Sequence, residues 1–208
     1  MRTVLVANRK GGVGKTLIAV TLASAMAARG ARVGLADADR QGSSLGWLAR
    51  RLAYAPRIRP LDWSSRGEIG AYPKKLDWLI IDAPGALKGS KAESLIATAR
   101  AVLTPVQPGV FDAQSTRAFL DEIEDIKRVR KGKVAVHLIA NRVRANSRAA
   151  RELEAMCVEL GRPPLAQLTE RAIYGELARD GLGLFDRETR ALAPVRAQWE
   201  PLLEALAD

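Results

Sequence analysis

Near the start of the chain two lysines bracket a glycine-rich run: Arg9–Thr16 reads R-K-G-G-V-G-K-T. Glycines let backbone N–H groups close on a phosphate, and a helix beginning just after them adds positive potential at its N-terminus. In such a loop Lys15 reaches the β- and γ-phosphates of a nucleotide, and the Thr16 hydroxyl ligates Mg²⁺. Gly11, Gly12, Val13, Gly14 and Leu17 complete the set expected along the phosphates. The usual eight-residue pattern asks for glycine where this chain has Arg9, so the strict pattern fails. The seven residues Lys10–Thr16 instead complete the variant K-G-G-x-G-K-T. That variant carries a second lysine, Lys10, which an ordinary phosphate loop does not need.

Three further stretches bring polar groups to the ends of apolar runs. W-L-I-I-D closes on Asp82; a buried strand with one carboxylate at its tip holds Mg²⁺ through water. A-D-A-D-R-Q-G puts Asp37, Asp39 and Gln41 at another strand end, where an α/β sheet opens its ligand crevice. L-I-A-N-R-V ends on Asn141, Arg142 and Val143. A carboxamide there can both donate to and accept from a base edge.

The elements that must position these groups alternate. Apolar runs predict strands at Val4–Ala7, Val33–Ala36, Leu76–Ile81, Ala101–Pro105 and Val134–Ala140. Helical spacing predicts Lys15–Arg29, with Ile18, Leu22, Ala25 and Met26 on one face and Gly30 as its stop. Further helices are expected at Ala113–Arg130, Ser147–Leu160 and Glu188–Leu206. Such alternation means an α/β fold: a doubly wound, mostly parallel sheet with helices on both faces, in one domain over residues 1–208. Pro56, Pro60 and Pro73 make residues 53–75 read as loops and an edge strand.

The bulk composition narrows the partners. A net charge of +10 over 208 residues favours a polyanion, nucleic acid or anionic membrane. Nine basic residues and no acidic one fall between Lys127 and Arg151. No apolar run approaches the roughly 20 residues that span a bilayer, and no signal-peptide pattern opens the chain. The single cysteine, Cys157, cannot form an internal disulfide, so a reducing cytoplasm is expected. Neither Cys157 nor His137 has the neighbours in sequence that a metal or Fe–S site needs.

Taken in order, these motifs resemble the ParA/MinD family of deviant Walker A P-loop ATPases over nearly the whole chain, and the short ParA-type partition ATPases in particular. The resemblance implies a slow Mg²⁺-dependent ATPase. Lys10 then reaches across an ATP-bound homodimer to the partner's nucleotide, acting on the γ-phosphate as an arginine finger does. Asp39 orients the attacking water and supports Mg²⁺, and Asn141, with Arg142, contacts the adenine. The catalytic set is thus Lys10, Lys15 and Asp39, and the metal set Thr16, Asp39 and Asp82. The segment T-P-V-Q-P-G-V-F-D, with Pro105, Pro108 and Asp112, is expected near the dimer interface. The chain departs from the family at Arg40, where the family has proline, and at Ala83 beside Asp82.

Basic residues of the C-terminal half bind DNA without sequence preference in ParA proteins, which implies Arg142, Arg144, Arg148 and Arg171 here. The implied role is nucleoid-associated positioning of a plasmid, a chromosome or a protein cluster, with hydrolysis stimulated by a ParB-like or other partner. The chain is too short to carry the N-terminal operator-reading extension of longer members. Two rivals stand beside this reading. A MinD-like membrane ATPase would end in a basic amphipathic helix, whereas Glu200, Glu204 and Asp208 make this end acidic, so no membrane is expected. A metabolic ligase of the P-loop class would leave the positive charge unexplained.

Overall fold

Seven strands, all parallel, build one sheet in a computed structural model of the chain, whose described residues are 1–64, 70, 72–85, 87 and 89–207. The strands are β1 (Arg2–Val6), β2 (Val33–Asp37), β3 (Ile58–Asp62), β4 (Trp78–Asp82), β5 (Ala101–Val106), β6 (Ala135–Val143) and β7 (Ala166–Thr169). Their order across the sheet is β3-β2-β4-β1-β5-β6-β7. The helices are α1 (Lys15–Ala28), α2 (Ser43–Ala49), α3 (Gly89–Thr98), α4 (Val110–Glu124), α5 (Lys127–Arg130), α6 (Arg148–Glu159), α7 (Ala172–Arg179), α8 (Ala193–Ala197) and α9 (Glu200–Ala207).

Alternation along each strand splits the core in two. Val4 and Val6 of β1 and Trp78 and Ile80 of β4 join the cluster under α1, α2 and α7 to α9. Leu5, Leu79 and Ile81 face the cluster under α3 to α6. Strands buried on both faces read as unbroken apolar runs, which is why the central ones were visible in the sequence. β3 is the edge strand expected within residues 53–75, with Pro60 at its centre paired to Leu35. Residues 65–69 and 71 of that stretch lie outside the described residues.

Three helices differ from expectation. Helix α1 has no solvent face to speak of: 11 of its 14 residues are buried. The sheet covers one side, and Trp47, Leu184, Trp199 and Leu203 belong to the same cluster; a helix apolar all round is a core helix. The expected helix Ala113–Arg130 breaks at Asp125–Ile126, where Ile126 is extended (φ −67°, ψ 120°). The break lets Ile126 and Val129 pack on the core while α5 starts on a new axis. The expected helix Glu188–Leu206 is a short 3₁₀ turn (Arg190–Leu192), then α8 and α9. Pro194 and Pro201 stand in the first turns of α8 and α9, where a missing N–H costs nothing. Trp199, fully buried between them, donates its indole N–H to the Tyr174 hydroxyl at 2.9 Å. Leu202, Leu203 and Leu206 pack inward.

Candidate functional site

The loop from Asn8 to Thr16 links β1, in the middle of the sheet, to α1. Its first anchor is Asn8, fully buried, whose amide donates to the Pro105 carbonyl at 2.8 Å and the Thr116 hydroxyl at 3.1 Å. The Asn8 side-chain oxygen accepts the Lys10 N–H at 3.1 Å. The second anchor is Asn141 on β6, 2% exposed, whose amide donates to the Val13 carbonyl at 2.7 Å. A third is the Gln107 amide, donating to the Gly12 carbonyl at 3.1 Å. Gly12 and Gly14 adopt φ of 78° and 92°. A Cβ on Gly14 would lie 2.3 Å from the Asn141 amide nitrogen, so this glycine is needed for space as well as for conformation.

Strand register delivers the carboxylates. Asp82 is paired with Val6 on one side and Asp37 on the other. Asp37 is spent on structure: its carboxylate accepts the Ser44 N–H at 2.9 Å, the Leu45 N–H at 3.1 Å and the Asp39 N–H at 3.1 Å. It thereby caps α2 and fixes the loop that carries Asp39. Asp39 is half-buried and lines a cleft of about 720 Å³ with Lys15, Thr16, Gly85 and Lys91. An equally large groove between α2 and β3 is lined by Leu45, Leu48 and Leu52 and holds none of the phosphate-loop residues. Chemistry, not size, singles out the first.

Asp82 is 1% exposed, and neither carboxylate oxygen has a hydrogen-bond partner among the described residues. Burial pushes its pKa up to about 7; the Thr16 hydroxyl beside it opposes this without forming a good hydrogen bond, and Asp37 adds to the rise. Burial also lowers the Lys15 pKa, against the pull of Asp82 and Asp39. The Lys15 Nζ donates to the Lys10 carbonyl at 3.0 Å. Two carboxylate oxygens without a partner among the described residues, next to a threonine hydroxyl and under a glycine-rich loop, fit a divalent cation shared with phosphate oxygens.

The other sequence-derived residues divide by place. Gly11, Gly12, Gly14, Leu17 and Arg142 line the cleft. Val13 is buried beneath it, its carbonyl held by Asn141. Lys10 is half-buried and does not line its own chain's cleft. Asn141, expected to contact an adenine, gives an amide N–H to the phosphate loop and so helps to hold that loop. Arg142, in the left-handed region at φ 53° where β6 loses its register, takes the cleft rim instead. Arg142 and Arg144 line an adjoining recess. Arg144 and Arg148 are exposed beside Glu170 (3.6 Å) and Glu152 (2.7 Å), and Arg171 precedes α7. Asp112, in the first turn of α4, has one buried oxygen without a partner among the described residues.

The nine basic residues between Lys127 and Arg151 do not form one patch. Five precede β6 and four sit at or after its far end. A nine-residue strand at about 3.3 Å per residue separates them by roughly 25–30 Å. Lys91 also lines the cleft and belongs to no sequence motif. Nothing in its spacing marks it, because α3 brings it to the cleft from outside every phosphate motif.

A glycine loop after β1, carboxylates at the tips of β2 and β4 and a seven-stranded parallel sheet define a P-loop nucleotide-binding domain. The chain belongs to the CobQ/CobB/MinD/ParA nucleotide binding domain family, which matches residues 4–184. It is 28% identical over 193 residues to the maintenance of carboxysome distribution protein A of Halothiobacillus neapolitanus, covering 90% of this chain and 88% of that one. Two solved structures share the fold. One is McdA from Cyanothece, without nucleotide, at a TM-score of 0.75, 18% identity and 99% coverage of each chain. The other is the septum site-determining protein MinD from Pyrococcus horikoshii with Mg-ADP, at 0.70, 18% identity and 99% and 97% coverage.

Proposed function

We propose that the chain is a ParA-type ATPase switch that uses ATP and Mg²⁺. The observation that carries this reading is Asp82: a buried carboxylate that has no hydrogen-bond partner among the described residues, beside Thr16 and Lys15, under the glycine-rich loop. Thr16 and Asp82 would hold Mg²⁺, with Asp39 in support. The ion, when bound, neutralises charge on the phosphate oxygens. Lys15 binds the β- and γ-phosphates, and Asp39 orients the water that attacks the γ-phosphorus as the bond to the bridging oxygen breaks. Lys10 of the partner subunit stabilises the charge that develops there, which makes ATP the link between two protomers. Arg142 at the rim is the better candidate for the base or ribose, with Asn141 holding the loop.

In the ATP-bound dimer the chain binds DNA without sequence preference, through Arg142, Arg144, Arg148 and Arg171. A ParB-like or other partner stimulates hydrolysis, the dimer opens and DNA is released. Cycles of this kind position a cargo on the nucleoid, a plasmid, a chromosome or a protein cluster. The name of the Halothiobacillus neapolitanus relative, which concerns carboxysome distribution, supports the last of these. The leucines of α9 are buried in the core, and among the described residues no helix is long and apolar enough to cross a membrane. That leaves the α9 apolar face unavailable to lipid and favours DNA over a membrane.

The test is binding to random-sequence duplex DNA with ATP and with ADP at two salt concentrations. The expected result is ATP-only binding that weakens steeply with salt, as phosphate contacts require. Binding that is absent in both nucleotide states, or the same in both, overturns the switch.

A further inference from the structure

We infer that Lys91 is a positioning residue for hydrolysis, coupling the turn after Asp82 to the loop that carries Asp39. This rests on the ATPase reading and deepens it. Lys91 lies in the first turn of α3, and its Nζ donates to the Ala38 carbonyl at 3.1 Å and the Trp63 carbonyl at 3.3 Å. Ala38 immediately precedes Asp39, and Trp63 immediately follows β3. One amine thus ties α3 to the ends of two other strands, 53 and 28 residues away in sequence. The same side chain lines the cleft with Lys15, Asp39 and Gly85.

Packing alone does not account for a lysine here. A cation in the first turn of a helix meets the positive end of the helix dipole. Burial and the neighbouring Arg40 both disfavour its charge, with Asp39 opposing them. An uncharged side chain of similar length would fill the space without these penalties. Lysine adds three donors, two of which are spent on the two carbonyls. The remaining N–H and the charge stay at the wall of a cleft suited to a triphosphate.

The linkage runs through Gly85. A Cβ built there would stand 3.9 Å from the Gly11 Cα and 4.0 Å from the Lys15 Nζ, so the turn after β4 rests against the phosphate loop. Lys15, which would hold the γ-phosphate, stands against this turn. Helix α3 follows at Gly89, and Lys91 passes its position to Ala38 and so to Asp39. Without Lys91 the nucleotide still binds, but the loop that aims the water loses its tie to α3 and keeps its local bonds to Asp37 and Gln41.

The experiment measures affinity for a fluorescent ATP analogue, steady-state hydrolysis and thermal melting. It compares wild type, Lys91→Met, Lys91→Ala and Lys91→Arg, with Lys15→Ala as the reference that fails to bind. Methionine and alanine are expected to keep Kd within about threefold while kcat falls about tenfold or more, and arginine to regain most of the rate. The inference is overturned if kcat stays within about twofold of wild type in both truncations, or if Kd weakens in proportion to the rate. Truncations that melt early and lose binding and rate together mark Lys91 as structural and overturn it too. Wild type that binds no analogue fails differently: it overturns the ATPase reading itself.

Discussion

The Asn141 side-chain amide donates to the Val13 carbonyl at 2.7 Å, so the tip of β6 carries the floor of the phosphate loop. The pair spans 128 residues of sequence and joins one strand end to another across β5. A buried carbonyl that loses its donor costs about 1–3 kcal/mol. Asn141→Ala is therefore expected to lower thermal stability and weaken nucleotide affinity together. Asn141→Asp, which sets a carboxylate against the carbonyl, does more damage. Wild-type affinity in Asn141→Ala would show that the loop needs no such support.

Arg51 and Asp186 form a buried bidentate pair at 2.8 and 2.7 Å, with side chains 7% and 0% exposed. The same guanidinium donates to the Gly181 and Pro56 carbonyls at 3.0 and 2.9 Å. Removing one partner leaves a charge buried without compensation. Arg51→Ala is expected to cost about 3–5 kcal/mol, read as a melting temperature lower by about 10 °C. The phosphate loop lies elsewhere, so affinity for ATP in the folded fraction should hold. A drop of only a degree or two would mean that Asp186 finds water instead.

The Asp82 carboxyl gives a pH signature in protein kept free of metal. Its folded pKa, raised to about 7 by burial, lies above the usual carboxylate value of 3.8. The folded state therefore holds its proton more tightly than the unfolded one. This contribution is fully present below pH 4 or so and is lost as pH rises through about 7. In EDTA, Asp82→Asn is expected to melt above wild type at pH 8 and to lose that advantage at pH 5. Hydrolysis is abolished in the same variant. Parallel melting curves across that range would rule out the buried carboxylate as the titrating group.

Lys10→Ala separates binding from assembly. The variant is expected to bind ATP normally and to lose ATP-dependent dimerisation or stimulated hydrolysis. Sedimentation with a slowly hydrolysed analogue reads the first, and phosphate release with partner present reads the second. Normal dimers with normal stimulation would sink the role assigned to Lys10.

What was legible in the sequence was whatever is encoded locally. Lys10–Thr16 is contiguous, and Asp82 ends an unbroken apolar run, so motif and strand could be read together. The central strands showed themselves because both their faces are buried. Short pieces stayed hidden: α2, α3, α7 and β7 are too brief to set up a period. Proline placement within the last twenty residues fixed the break between α8 and α9, but helical spacing alone suggested one helix.

The chain alone therefore determined that a phosphate loop, a strand-tip carboxylate and a parallel sheet occur together, because each is a property of neighbouring residues. Only the tertiary structure decided which polar groups are free to act. The resemblance singled out Asp39, and the structure supplies the reason Asp37 is not available: register and the N-terminus of α2 consume it. Asn141 is turned to the loop, Arg142 to the rim, and one run of basic residues is divided between the two ends of β6. Lys91 reaches the cleft through hydrogen bonds to residues 53 and 28 positions away. Such assignments depend on distances through space, which strand order and helix packing set and which no local pattern records.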